Sequence, residues 1–274
     1  MRSDMMAQLI DRRQLKAQMK ELLRSAQVSP RGMTALYLGL VLVLNLADSL
    51  VSMVSGGLPG TFVSILTSLL SWTLSAGFVL YCMAVRRGER TEYLTLFDGF
   101  SFVGKIIALN IVILVFIFLW SLLFMIPGIV AAYRYRFALY DLYENPGIGV
   151  MEALEMSKHQ ALGYKGQLFF LDLSYIGWQI LSAIPSLIQA GYLYAVIFSD
   201  PGYYLANPDM VYAITLPISP VLQLVIGSVW PLAVALFFLP VYQCTELGYF
   251  DTAKRTSGVG ADLSPAGGTG WDSF

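Results

Sequence analysis

Apolar residues run in long unbroken stretches along this chain, with short polar segments between them. "TALYLGLVLVLNLADSLVSMV", "FVSILTSLLSWTLSAGFVLYCMA" and "FVGKIIALNIVILVFIFLWSLLFM" are each long enough to cross a bilayer as one helix. About twenty residues at helical rise span the hydrocarbon, and runs of this length need no other partner than lipid. A transmembrane barrel would alternate apolar and polar residues instead, and no such alternation appears. The pattern predicts an all-α, polytopic transmembrane helical bundle of about six spans.

The spans are placed near 34–54, 62–84, 102–125, 128–144, from about 167 onward, and 221–249. Pro185 is expected to break the fifth. Residues 186–198 then either extend it or lie along the outer surface. Pro231 and Pro240 are expected to bend the sixth. A helix over "NPGIGVMEALEMSKHQALG" is expected at the cytoplasmic interface between spans four and five, with Glu152 and Glu155 towards its start and Lys158 and His159 near its end.

Ahead of the first span, Leu9, Leu15, Met19, Leu22 and Leu23 recur at helical spacing among Lys and Arg. Residues 1–33 therefore read as an amphipathic segment lying on the cytoplasmic membrane surface, not as a signal peptide. Residues 34–250 form one transmembrane domain. The Gly- and Ser-rich stretch 251–274 is expected to be a disordered cytoplasmic tail.

Charge refines this picture. Only 13% of residues are charged, about half the share in a soluble domain. Seven basic residues precede span one, Arg86, Arg87, Arg90 and Lys105 separate spans two and three, Lys158 and Lys165 separate four and five, and Lys254 and Arg255 follow six. The connections after spans one, three and five have none. Basic residues stay in the cytoplasm, so both termini are assigned there. That parity requires the stretch "IPGIVAAYRYRFALYDLYENP" to cross the membrane, arginines included.

"WSLLFMIP" (120–127) and "WQILSAIP" (178–185) match at Trp, Leu, Ile and Pro, as in an internal repeat or as interfacial tryptophans before a proline.

Four stretches, "RRGERTEYLTLFDGF", "IPGIVAAYRYRFALYDLYENP", "ALEMSKHQALGYKGQLFFLDLSYIGWQIL" and "LPVYQCTELGYFD", carry a resemblance. Together they resemble the bacterial integral membrane family catalogued as domain of unknown function 975. That family looks distantly similar to the membrane domain found beside some glycerophosphodiester phosphodiesterases. The resemblance implies a six-helix protein of the bacterial cell membrane. It brings no catalytic residue with it.

Intramembrane charge faces a bundle interior or a wet cavity. On a continuous span four, Arg134 shares a face with Asp141, while Tyr133, Arg136, Tyr140 and Tyr143 share the roughly opposite one. Guanidinium forks and aromatic hydroxyls could hold an anionic or amphiphilic head group. The competing reading is structural ion pairing between helices. Counting residues from the helix ends predicts the pairs Arg134–Asp48 and Arg136–Asp172. The candidate ligand-binding residues are thus Arg134, Arg136, Tyr133, Tyr140, Asp48 and Asp172. Glu246 reads as solvated near the cytoplasmic interface.

Enzyme signals are missing. The chain has one histidine and two cysteines, and no H-E-x-x-H, G-x-S-x-G or P-loop. No catalytic residue, metal or cofactor is assigned. Cys82 and Cys244 sit near cytoplasmic helix ends, which argues against a disulfide. The expectation is a non-enzymatic inner-membrane protein that binds or transports an amphiphilic or anionic small molecule, lipid or peptide, through a cavity lined by span four. The rival is a membrane scaffold or an accessory subunit of a transporter. Membrane lipids are the expected partners, with further membrane subunits or a second copy as alternatives, and nucleic acid is not expected.

Overall fold

A computed structural model describes residues 8–54 and 57–260. Among them are eleven α-helices and no strand. Five helical stretches are long and apolar enough to cross a membrane: 30–51, 58–87, 93–122, 176–199 and 221–257. They lie in α2 (Pro30–Val54), α3 (Leu58–Arg87), α4 (Val103–Leu123) with the 3-10 segment before it (Tyr93–Phe102), α9 (Ile176–Ser199) and α11 (Pro220–Ser257). The fold class is the expected helical bundle. The polar face of α1 (Arg12–Arg24) and the C-terminal end of α11 mark one end of the bundle, called proximal below.

The expected fourth span is not one continuous helix. It consists of α5 (Met125–Arg134) and α6 (Ala138–Glu144), interrupted at residues 135–137. The two pieces nevertheless return along the length of α4. Phe124 is extended (φ −162°, ψ 154°) and reverses the chain. A Cβ on Gly128 would lie 2.1 Å from Ser121 Oγ, so glycine is what lets α5 pack this closely on α4. Further along, the Phe116 and Tyr135 rings meet at 5.7 Å. At the proximal end the Lys105 ammonium donates to the Pro146 carbonyl.

The fifth span differs as well. α8 (Lys165–Leu173) ends at residues 174–175, and α9 then runs unbroken through Pro185 to Ser199. The interruption therefore lies upstream of the proline, and residues 186–198 extend the span. Pro231 and Pro240 both sit inside α11. The two Trp-to-Pro octapeptides are not structurally equivalent: one straddles the α4–α5 reversal and the other lies within α9.

Packing is uneven along the bundle axis. The buried side chains concentrate in its proximal half, from Thr73 to Val85 on α3 and from Val234 to Lys254 on α11, with α6 and one face of α7 (Val150–Gln160). α9 has no buried residue. Lipid solvates apolar side chains as well as other side chains do, so helices in hydrocarbon need not bury one another to be stable. Cys82 on α3 and Cys244 on α11 are free and buried.

The 3-10 segment lies hard against α3. A Cβ on Gly77 would stand 1.7 Å from the Leu96 carbonyl oxygen, so no larger residue is compatible with this contact. An ion cluster closes the same end. Glu144 of α6 accepts from Arg87 at 2.8 Å and from Lys254 at 2.6 Å, while Arg86 pairs with Asp251.

Packing decides three boundaries. The apolar face of α1 is not free for lipid: Met19 and Leu23 are buried in the main core, and Leu15 meets Gly248 of α11. α7 is likewise docked, with Ala153, Leu154, Met156, Ser157 and Gln160 buried and only its other face outward. Helix α11 continues to Ser257, so residues 251–257 belong to the bundle, and 261–274 lie outside the described residues.

Candidate functional site

The interruption between α5 and α6 contains no glycine or proline, the usual causes of a helix break. Its freed backbone groups are met from another helix. The buried Ser157 hydroxyl of α7 donates to the Arg134 carbonyl at 2.9 Å and accepts from the Phe137 amide at 3.1 Å. One side chain thus stands in for backbone bonds lost at the break.

The second break, after α8, is closed by α1. Lys16 Nζ donates to Ser174 Oγ at 2.6 Å and lies 3.9 Å from the centre of the Tyr175 ring. Arg12 donates to the Phe170 carbonyl at 2.8 Å. Cations at the C-terminal end of a helix offset its unpaired carbonyls.

The two breaks face one another across a charged network. Arg136, in the first break, donates through Nη1 and Nη2 to Asp172 at 2.7 and 3.0 Å. Its Nε donates to Glu246 of α11 at 2.8 Å. The Arg136–Asp172 pair is the one that depth matching predicts. Four more groups complete the shell. Tyr133 and Tyr242 each donate to Asp172 at 2.7 Å, Tyr140 donates to Glu246 at 2.7 Å, and Gln243 donates to the Tyr140 oxygen at 2.8 Å. Arg136 also contacts the Tyr242 hydroxyl and lies 5.4 Å from the Tyr133 ring centre.

The network has a buried floor and a more open rim. The Glu246 side chain is 6% exposed, against 20% for Arg136 and 30% for Asp172. Two carboxylates against one guanidinium leave it one negative charge in excess when all are ionised. Each nitrogen of the fork already donates to a carboxylate. The arrangement is therefore poorly suited to taking an anion at Arg136 and better suited to a positive or hydrogen-bond-donating group at its rim.

Other expectations fail at this point. Arg134 does not pair with Asp48. Asp48 of α2 accepts from Ser64 of α3 at 2.7 Å, while Arg134 Nε is buried without a partner. Matching depth does not make them neighbours: α2 packs chiefly on α3 and α11, whereas α5 packs on α4 and α8. Asp141, placed on one face with Arg134 by a continuous helix, instead accepts from Gln160 of α7 at 2.7 Å. Glu246 is not simply solvated; it is the most buried charge in the network. Ser157 also went unrecognised as a structural clasp, because a lone serine on an amphipathic helix carries no signal of its own. Exposed His159 contacts Glu155 at 3.1 Å, away from this network.

Residues 122–255 match the family described as Protein of unknown function (DUF975). The match supports that family over a segment that contains both breaks and every member of the charged network. No curated protein and no solved structure matches the chain.

Proposed function

We propose, starting from the match to DUF975, that the chain is a non-enzymatic protein of the bacterial cytoplasmic membrane that binds or passes an amphiphilic small molecule at the junction of its two broken helices. The carrying observation is the meeting of both interruptions at a charged, partly open network around Arg136. Discontinuous helices in membranes are tolerated where the freed backbone is buried in protein or lines a cavity, and they recur at transporter binding sites. The excess carboxylate favours an amphiphile with a cationic or donor-rich head. An anionic lipid or peptide would instead have to engage Arg134. The distant resemblance to a membrane domain found beside glycerophosphodiester phosphodiesterases is compatible with a lipid-like ligand.

Orientation is part of the proposal. We assign the proximal end, with Arg86, Arg87, Lys105, Lys158, Lys165, Lys254 and Arg255, and both termini to the cytoplasm, as the positive-inside rule expects.

The test uses the full chain in phosphatidylcholine nanodiscs with a dansyl-labelled long-chain amine and its matching phosphate. The amine should bind the parent more tightly, and Asp172→Asn should lose most of that binding. Tyr133→Phe, which keeps the ion pairs, serves as a folded comparison. Preferential binding of the phosphate, with loss in Arg134→Gln, would replace the cationic version by the anionic one. Binding of neither would remove the ligand reading.

A second reading, a scaffold or accessory subunit, draws on α9, which has no buried residue and packs chiefly on α11 and on α10 (Pro201–Ala206). It requires a stoichiometric second chain, or a second copy, at α9 after mild solubilisation.

A further inference from the structure

A cleft of about 550 Å³ lies between the start of α1 and α8, on the α1 side of the second helix break. Its walls carry Arg12, Arg13 and Lys16 on one side, Gln167 and Ser174 on the other, with Phe170 at the edge. The one acidic residue in the lining is Asp11, and its carboxylate caps α1 by accepting from the Arg13 and Gln14 amides. Among the described residues, none of the three cations forms an ion pair. Three positive charges are thus held together with no matching carboxylate.

Two of the three are held in place. Arg12 is tied to the Phe170 carbonyl and Lys16 to Ser174 and the Tyr175 ring. Burial, and then the charge of Arg12, lowers the Lys16 ammonium from its ordinary range. Among the described residues, the exposed Arg13 side chain forms no hydrogen bond or ion pair and remains available. Apolar surface adjoins the cations: Leu9 is 87% exposed and Phe170 51% exposed. α8 leads directly into the membrane-long α9, so the apolar edge is next to the acyl-chain region and the cations are near head-group level.

We infer that this cleft binds the phosphate of an anionic phospholipid, with Arg12, Arg13 and Lys16 around the oxyanion and acyl chains along Leu9 and Phe170. The bound lipid bridges α1 to α8 and so reinforces the closure of the second helix break. This site shares no lining residue with the network around Arg136, and the inference does not rest on a ligand there.

The experiment places the full chain in phosphatidylcholine nanodiscs containing a minority of phosphatidylglycerol. Native mass spectrometry after release then counts retained phosphatidylglycerol. Each basic residue near an anionic head group is worth about fivefold in binding. Arg12→Gln with Lys16→Gln should therefore reduce retention by at least about tenfold. Arg13→Gln, which disturbs no contact that docks α1, should reduce it about fivefold and guards against misfolding of the double variant. Lys20→Gln with Arg24→Gln removes the same charge from α1 outside the cleft and should leave retention within about twofold. Equal losses in the two double variants, or no loss in Arg13→Gln, would overturn the site in favour of diffuse surface attraction. Inorganic phosphate binding as tightly as the lipid would overturn the lipid assignment.

Discussion

Arg136 and Asp172 meet across two helix breaks, with guanidinium nitrogens 2.7 and 3.0 Å from the carboxylate oxygens. Glu246 takes the remaining edge of the same guanidinium at 2.8 Å. Removing the arginine would leave two carboxylates facing each other in a poorly solvated place. Losing one partner of a buried pair typically costs about 3–5 kcal/mol. Arg136→Gln should therefore lower the thermal stability of the detergent-solubilised protein sharply. Adding Asp172→Asn and Glu246→Gln should recover much of the loss. Additive losses in the triple variant would break the coupling claimed for the network. Arg134→Gln and Asp48→Asn, which do not touch one another, should show no coupling in a double-mutant cycle.

Ser157 makes a separate test possible. Ser157→Ala strands the Arg134 carbonyl and the Phe137 amide together. An unmade buried hydrogen bond costs about 1–3 kcal/mol. The variant should lose stability in that range, and amide exchange at Phe137 should accelerate while exchange in α3 stays slow. Unchanged exchange at Phe137 would mean that the hydroxyl does not hold the break.

Gly77→Ala probes the seat of the 3-10 segment. The added carbon would overlap the Leu96 carbonyl, and backbone cannot step aside as a flexible side chain can. Overpacking of this kind costs about 1–3 kcal/mol or more. A loss of Tm is expected from a thermal melt, whereas Gly104→Ala, which meets nothing within 4 Å, should be neutral. Equal melts for the two variants would contradict the close approach.

Orientation can be read with single cysteines on a background lacking Cys82 and Cys244. A cysteine at exposed Asn207, in the connection between α10 (Pro201–Ala206) and the next turn, should react with an impermeant thiol reagent on whole cells. One at exposed Glu155 on α7 should react only after the membrane is opened. The reverse pattern would invert the assignment of the proximal end.

The long apolar runs by themselves determined the helical membrane class, because length and composition are what hydrocarbon selects for. They also placed the helix order. Even the pairing of Arg136 with Asp172 followed from counting along antiparallel helices, since both residues lie near the same depth whichever way the side chains turn. Only the tertiary structure decided the rest. No local residue type marks the break at 135–137; it exists because Ser157, far away in sequence, replaces backbone partners there. Arg134 and Asp48 part company because α5 and α2 are not packed neighbours, whereas Arg136 meets Asp172 where α5 adjoins α8. Glu246 reads as an interfacial charge because it lies close in sequence to a helix end. α11 is 38 residues long and surrounded by packed helices at its proximal end, so protein, not water, meets that carboxylate. The apolar stripe of α1 could equally have faced lipid. It faces α11 because Gly248 leaves room for Leu15 and because Arg12 and Lys16 find the open carbonyl end and aromatic rings of α8 and its break, partners that amphipathic periodicity cannot name.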